Sequence, residues 1–167
     1  VAVLQAKVGL RCAAFDPSGK RVAYGTTKNF FVLWDLASGR RRSFVIPKVS
    51  ETADISAMAF SPDGKSLVMG LMDSSVIVWD IARRRDRVNR FVRNTSIMDV
   101  AVAPDGKTFA VAGVDGKVYL YDLGTGERKA VLEAHSGWAR AVRFSPDGKR
   151  LATAGDDGKI VLWKGGG

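Results

Sequence analysis

The sequence predicts an all-β fold made of four copies of one antiparallel unit, and two observations support this prediction. A turn of the form "SPDGK", or a close variant, occurs four times at intervals of 45, 42 and 42 residues, with its proline at Pro17, Pro62, Pro104 and Pro146. An aromatic residue follows each proline after the same interval of 17 residues, at Trp34, Trp79, Tyr121 and Trp163. Such a constant register indicates a repeat architecture in which every copy has the same strands and turns.

Four short strands make up each copy and follow one another in a fixed order. The first strand runs into the proline turn, as in "AMAF", and the second leaves it, as in "SLVMG". A turn such as "VDGK", whose glycine suits a positive φ, leads to the third strand, as in "KVYLY". The fourth strand follows the aromatic residue, as in "KAVLEA". Short runs rich in Val, Ile and Phe between Pro, Gly and Asp are typical of antiparallel sheets.

The composition is that of a globular protein in a reducing compartment. Hydrophobic residues make up 46% of the 167 residues. No apolar run approaches the ~18–20 residues of a membrane span, so no membrane partner is expected. The single cysteine, Cys12, excludes a disulfide within the chain and favours a cytoplasmic location. The net charge of +9 favours an anionic partner.

The repeat resembles that of the WD-repeat family of β-propellers, because the repeat length, the "SPDG" turn and the "WD" dipeptide all agree. The resemblance covers the chain as a single array, 1–167, and implies four-stranded blades around a central channel. The blade units are about 7–46, 47–92, 93–132 and 133–164, with 1–6 as a closing outer strand. The family uses such a propeller as a rigid platform for partners.

The resemblance also implies a hydrogen-bonded tetrad in each blade, and only the last unit has every member. These members are His135, Thr153, Asp157 and Trp163. The other units lack the histidine, and their hydroxyl position holds Tyr24, Met69 or Val111. We expect hydrophobic packing to hold those three blades. The lone histidine is interpreted as structural, because a buried polar network is stable only when each member is satisfied.

The segment Val1–Ala6 aligns with the outer strand at 129–134. The resemblance implies that the first strand completes the last blade, whose edge would otherwise favour aggregation. Val1–Ala6 completes either its own fourth blade, in a four-bladed ring of about 90° per blade, or that of a second copy, in an eight-bladed ring of about 45° per blade. Family rings usually have seven or so blades, so their angle per blade is much nearer to that of the eight-bladed ring. We therefore favour the two-fold homodimer. A fragment of a larger propeller or signalling protein is a third alternative, because the chain lacks an initiating Met.

No pattern in the sequence points to an active site. The single His and the single Cys lie in different repeats, and metal-ligand spacings such as CxxC or HExxH are absent. The aspartates beside the proline turns and after the aromatic residues are better explained as turn caps than as acid–base pairs. We therefore expect a protein that is not an enzyme and has no cofactor or metal.

Basic residues concentrate on one predicted face, where the proline turns and the loops after the aromatic residues lie together. Lysines are common in the "PDGK" turns of the family. The arginine clusters "GRRRS" and "ARRRDR" add basic residues beyond that background. The candidates for anion binding are Arg40, Arg41, Arg42, Arg83, Arg84, Arg85 and Arg87. No aromatic residues are interleaved with them, so base stacking is not predicted. The alternative function is therefore polyanion or nucleic-acid binding through charge.

The opposite face is the one on which the family usually docks proteins. Its candidate residues occupy matching positions just before the inner strands and are Arg11, Ser56, Met98 and Arg140, with Trp138 two residues before Arg140. Trp and Arg are the residues most enriched in binding hot spots, although packing over a neighbouring blade is the alternative for Trp138. The sequence therefore predicts a non-catalytic scaffold that presents a rigid propeller surface to a protein or peptide.

Overall fold

The structure is a computed structural model that describes residues 8–51, 53–92 and 95–164. In that part of the chain, fifteen strands form four antiparallel sheets, and strands adjacent in sequence are neighbours in each sheet. Three sheets have four strands, and the fourth has three strands among the described residues. The same residues contain no helix with the length and hydropathy needed to cross a bilayer.

The strands are numbered in chain order, from the inner to the outer edge of each sheet. The first sheet contains β1 (Leu10–Phe15), β2 (Arg21–Thr26), β3 (Phe30–Asp35) and β4 (Arg41–Val45). The second contains β5 (Ile55–Phe60), β6 (Ser66–Leu71), β7 (Ser75–Asp80) and β8 (Arg85–Phe91). The third contains β9 (Ile97–Val102), β10 (Thr108–Gly113), β11 (Lys117–Asp122) and β12 (Arg128–Glu133). The fourth contains β13 (Ala139–Phe144), β14 (Arg150–Gly155) and β15 (Ile160–Lys164).

The predicted turns explain why the strands end where they do. In the second sheet, Gly64 has a φ of 67°, a conformation that suits glycine. The Ser61 hydroxyl donates to Asp63, and the same carboxylate accepts from the backbone N–H of Lys65 at 3.0 Å. The side chains thus satisfy the turn and reverse the chain between β5 and β6. The predicted all-β fold of four-stranded antiparallel units is confirmed for the first three repeats.

The hydrophobic core lies in the three seams between successive sheets. Between the first and second sheets, Phe31 packs its ring edge-on against Trp79, with 5.2 Å between ring centroids. In the seam between the second and third sheets, Phe109 and Tyr121 of the third sheet stack on each other at 5.2 Å within a second cluster. The third seam is formed mainly by smaller residues such as Ala110 and Val142. Each sheet is therefore stabilised by burying apolar side chains against its neighbours.

The inner strands of the four sheets pack side by side, in the order β1, β5, β9 and β13. The residue two positions before each proline lines a common cavity of about 390 Å³, and these residues are Phe15, Phe60, Val102 and Phe144. The sheets thus radiate from one shared inner region, as the blades of a propeller do.

The two end sheets expose the apolar residues that the internal sheets bury. Ile160 in the fourth sheet is 75% exposed, and Leu162 is 65% exposed. The residues at the same repeat position as Ile160 in the first three sheets are all fully buried, and they are Phe31, Val76 and Val118. At the other end, Phe15 is 66% exposed. The predicted closing strand, Val1–Ala6, lies outside the described residues.

Candidate binding surfaces on two faces of the repeat array

The four candidate tetrad residues of the last repeat lie in one connected hydrogen-bond network. His135 Nδ1 is 2.9 Å from Asp157 Oδ1, and His135 Nε2 is 3.0 Å from Thr153 Oγ1. Trp163 donates its indole N–H to the same Thr153 oxygen at 3.2 Å. The His135 side chain is fully buried. The network ties the segment before β13 to β14 and β15, so it braces the fourth sheet.

Asp157 closes this network through three donors. Burial alone would raise the pKa of its carboxyl, but hydrogen bonds from His135 and from the backbone N–H groups of Lys159 and Ser136 outweigh it and lower the pKa. A carboxylate that stays ionised keeps accepting these bonds. The lowered pKa of Asp157 is therefore explained by its structural hydrogen bonds, without a catalytic role.

The other repeats replace the tetrad in different ways. The buried indole nitrogens of Trp34 and Trp79 have no hydrogen-bond partner among the described residues, in the repeats whose hydroxyl position holds Tyr24 or Met69. In the third repeat, the Tyr119 hydroxyl donates to Asp115. Burial and this hydrogen bond both raise the pKa of Tyr119. Hydrophobic packing in the seams stabilises these sheets, in which the polar network is incomplete.

Trp138 and Arg140 form a fixed pair on the face opposite the proline turns. The guanidinium of Arg140 lies 4.5 Å from the centroid of the Trp138 ring, and Trp138 remains 46% exposed. Arg140 also donates two hydrogen bonds to the carboxylate of Asp156, at 2.7 and 2.8 Å. These bonds raise the pKa of Arg140 and lower that of Asp156. The exposed indole is thus held in place before any partner arrives.

The other candidates on this face are held differently. Arg11 makes an ion pair of 2.6 Å with Asp54, which precedes the next inner strand. The Ser56 hydroxyl donates to the backbone carbonyl of Gly70 at 3.0 Å. Met98 is half-buried at the start of β9. Among the five candidates, Trp138 is the exposed large apolar side chain.

The basic face is where the structure brings the two sets of loops together. In the first three repeats, the backbone N–H after the aromatic-Asp pair donates to the lysine carbonyl of the preceding proline turn, as Ile81 does to Lys65 at 3.0 Å and Leu123 to Lys107 at 2.8 Å. The loops therefore lie beside one another at the same edge of each sheet. This arrangement places the two arginine clusters in neighbouring sheets at that edge.

Four of the seven candidate arginines are already engaged or lie among carboxylates. Arg41 lies over the Trp34 ring, 4.9 Å from its centroid. Arg83 donates to Asp80 at 3.0 Å, and Arg87 donates to the Leu123 carbonyl at 2.8 Å. Arg85 lines a small cleft together with these last two arginines and the carboxylates of Asp80 and Asp86. These four arginines therefore already have an aromatic ring, a backbone carbonyl or carboxylates of the chain beside them.

The other three candidates converge on one cleft between the first and second sheets. Arg40, Arg42 and Arg84 line a cavity of about 340 Å³, together with Arg21. Among residues 8–51, 53–92 and 95–164, the guanidinium groups of these three candidates have no hydrogen-bond or ion-pair partner. The apolar wall of the cleft is formed by Leu33, Phe44 and Ile81. The seven arginines therefore do not form one uniform surface.

Sequence reasoning missed the residues that fix the candidates in place. Asp156 and Asp54 orient arginines of the docking face. Asp156 directly precedes the tetrad aspartate, and that adjacency was the one signal in the sequence. The described residues contain no group of three or more His, Cys, Asp or Glu side chains that could hold a metal ion.

The comparison with known families identifies the architecture. The family model for the WD domain, G-beta repeat, matches residues 46–80, 87–122 and 126–164, which together make up well over half of the chain. The chain therefore belongs to the WD-repeat family, and the resemblance predicted from its repeats is confirmed. Repeats of this family generally mediate protein–protein interaction and are typically non-catalytic scaffolds. No curated protein gives a significant match to the chain.

Proposed function

We propose that this chain is a non-catalytic scaffold that binds a protein or peptide with the face carrying Trp138. The observation that carries the proposal is the half-exposed indole held by Arg140, which is itself clamped by Asp156. A large aromatic anchor that is already ordered loses little conformational entropy on binding. Such an anchor is the feature that a docking surface needs and that a purely structural tryptophan, packed into a seam, does not provide.

A peptide selection tests this function without requiring the natural partner. Peptides from a displayed random library are selected on the wild-type protein, and their affinities are then measured on two variants. We expect Trp138→Ala to weaken the selected peptides at least tenfold, about 1.4 kcal/mol or more. Ser136→Ala, a change at a nearby exposed residue, should leave them unchanged. Selected peptides that bind the Trp138→Ala variant as tightly as wild type would refute this docking face.

We further propose that two copies pair to complete the propeller, with Val1–Ala6 of one chain as the outer strand beside β15 of the other. The exposed apolar residues of the end sheets support this pairing. Ile160 stands where the internal sheets bury its counterpart against the next sheet, Leu162 is exposed in the same strand, and Phe15 is exposed on the first sheet. The first sheet of a second copy is a surface of the kind that each internal sheet already packs against.

A second candidate function is the binding of an anionic partner through the basic face. The specific observation in its favour is the cluster of Arg40, Arg42 and Arg84, whose guanidinium groups are unpaired among the described residues. Binding that falls steeply with added salt would support this function. Salt-tolerant binding of every ligand would instead leave the docking face as the functional surface.

A further inference from the structure

The cleft between the first two sheets differs from the equivalent place between the second and third sheets. Val88 and Arg42 occupy equivalent positions in their sheets. Val88 pairs with Val78, the residue before Trp79, and Arg42 pairs with Leu33, the residue before Trp34. Val88 is buried and fills its seam. Arg42 is exposed and lines a cavity of about 340 Å³ instead. The first seam thus has a charged, open cleft where the second has apolar packing.

On the opposite wall of the cleft, an arginine likewise stands where the second seam has a small residue. Arg84 and Gly126 both lie four residues after the aspartate that ends the third strand. A Cβ on Gly126 would lie only 2.4 Å from a methyl of Val88, so that seam is closed to any larger residue. In the first seam, Arg84 takes the glycine's place and faces the same cavity as Arg42.

Arg84 occupies this position in a backbone conformation that favours glycine. Its φ is +55°, whereas the matching glycines, Gly39 and Gly126, have φ values of 68° and 71°. A non-glycine residue at positive φ is strained, and strain of this kind concentrates at functional sites. The chain therefore holds an arginine in the cleft at the expense of backbone geometry.

The charge inside the cleft is unbalanced. Four arginines line it, and Asp35 is the one carboxylate among the lining residues. Hydrogen bonds from Ser38 engage that carboxylate at 2.6 and 2.8 Å, so it is turned into its own loop. Arg21 is partly neutralised by Asp16 at 3.1 Å. Arg40, Arg42 and Arg84 have no such partner among the described residues.

We infer that this cleft binds the phosphate monoester group of a phosphorylated protein segment. Such a group carries about −1.5 to −2 charge at neutral pH and three acceptor oxygens, which suits several guanidinium groups better than a single carboxylate does. The apolar wall of Leu33, Phe44 and Ile81 accommodates a neighbouring side chain of the segment. A cavity of about 340 Å³ takes one such group and its neighbours, not a continuous polyanion strand. The inference rests on the anion-binding function proposed above and names its site and ligand class.

Fluorescence anisotropy tests the inference with three probes at moderate ionic strength. The probes are a labelled Gly-Phe-phosphoSer-Leu-Gly peptide, its unphosphorylated form and a labelled twelve-nucleotide single strand. We expect the phosphopeptide to bind wild type at least tenfold more tightly than either other probe. Equal binding of the unphosphorylated peptide, or tighter binding of the oligonucleotide, would overturn the inference.

Variants with matched charge separate this site from diffuse attraction. Arg42→Val with Arg84→Gly copies the residues of the second seam, and it should lower phosphopeptide affinity at least tenfold without lowering the melting temperature. Lys107→Gln with Lys149→Gln removes the same charge from the same face and should change the affinity less than threefold. If the two double variants weaken binding equally, the anion-binding face survives but this site does not. Arg42→Gln alone should weaken binding in the same direction, and an unchanged affinity would also contradict the site.

Discussion

At the level of single residues, the fourth sheet depends on a polar network that the other sheets lack. Thr153 accepts from Trp163 and lies 3.0 Å from His135, which also contacts Asp157. The indole nitrogens of Trp34 and Trp79 are buried without a partner among the described residues. One repeat thus gains specificity from hydrogen bonds, while the first two use the larger apolar clusters of their common seam.

We predict that His135→Ala destabilises the protein by about 2 kcal/mol, because it leaves buried groups of Thr153 and Asp157 without their partner. Urea unfolding followed by tryptophan fluorescence measures the free energy of unfolding. Ser136→Ala is the control and should change that free energy by less than about 0.5 kcal/mol. A histidine that could be removed at no cost would show that the network does not brace the fourth sheet.

We predict that Arg84→Gly stabilises the protein by about 1 kcal/mol, because a side chain at positive φ is strained and glycine is not. The control is Arg84→Ala, which removes the same charge but keeps the Cβ and therefore the strain. Thermal melting of both variants separates the two causes. If alanine stabilises as much as glycine, then charge repulsion in the cleft, not backbone strain, explains the gain.

At the level of strands and turns, the repeat pattern predicted the elements but not their register. Counting from the proline turns matches Arg42 with Arg87. In the structure, a bulge between Val78 and Trp79 adds one residue to β8, so that Val88 takes the position of Arg42 and Arg87 reaches the next sheet. A bulge follows from three-dimensional pairing, so the sequence identified the arginine clusters without indicating which side chains share a cleft.

The aspartate turns make the stability depend on acidic pH. Hydrogen bonds from the backbone of Thr125, the Lys129 side chain and the backbone of Gly124 lower the pKa of Asp122 to about 2. Since the unfolded value is about 4, the unfolded state binds more protons between these values. The stabilisation is therefore complete above about pH 4 and is lost as the pH falls towards 2.

We predict that the free energy of unfolding falls between pH 5 and pH 2.5, and that Asp122→Asn reduces this fall. Asp99 has the opposite pH dependence, because burial raises its pKa. Its contribution to the free energy of unfolding is therefore most favourable at low pH. Urea titrations of the wild type and the variant at several pH values measure both slopes. Identical slopes would show that the Asp122 turn does not contribute to acid sensitivity.

At the level of the whole molecule, the repeats explain both the family and the exposed ends. Every internal sheet is covered on both faces, whereas the outer faces of the first and fourth sheets expose Phe15, Ile160 and Leu162. Repeat arrays require their terminal units to be covered or capped. The sequence predicted the sheets from local patterns, but the partner of an end sheet depends on a surface that lies beyond one chain.

Pairing of two chains should depend on the exposed residues of the fourth sheet. Leu162→Asp places a charge in the proposed interface and should shift the protein from dimer to monomer. Phe91→Asp is the matched control, because Phe91 is 64% exposed, as Leu162 is at 65%, but it lies on an internal sheet. The control variant should keep the oligomeric state of the wild type.

Sedimentation equilibrium of the wild-type chain tests the paired propeller most directly. We expect a mass of about 36 kDa, twice the 18.0 kDa of one chain, over a wide range of protein concentration. A mass of 18.0 kDa at every concentration would contradict the pairing of two copies.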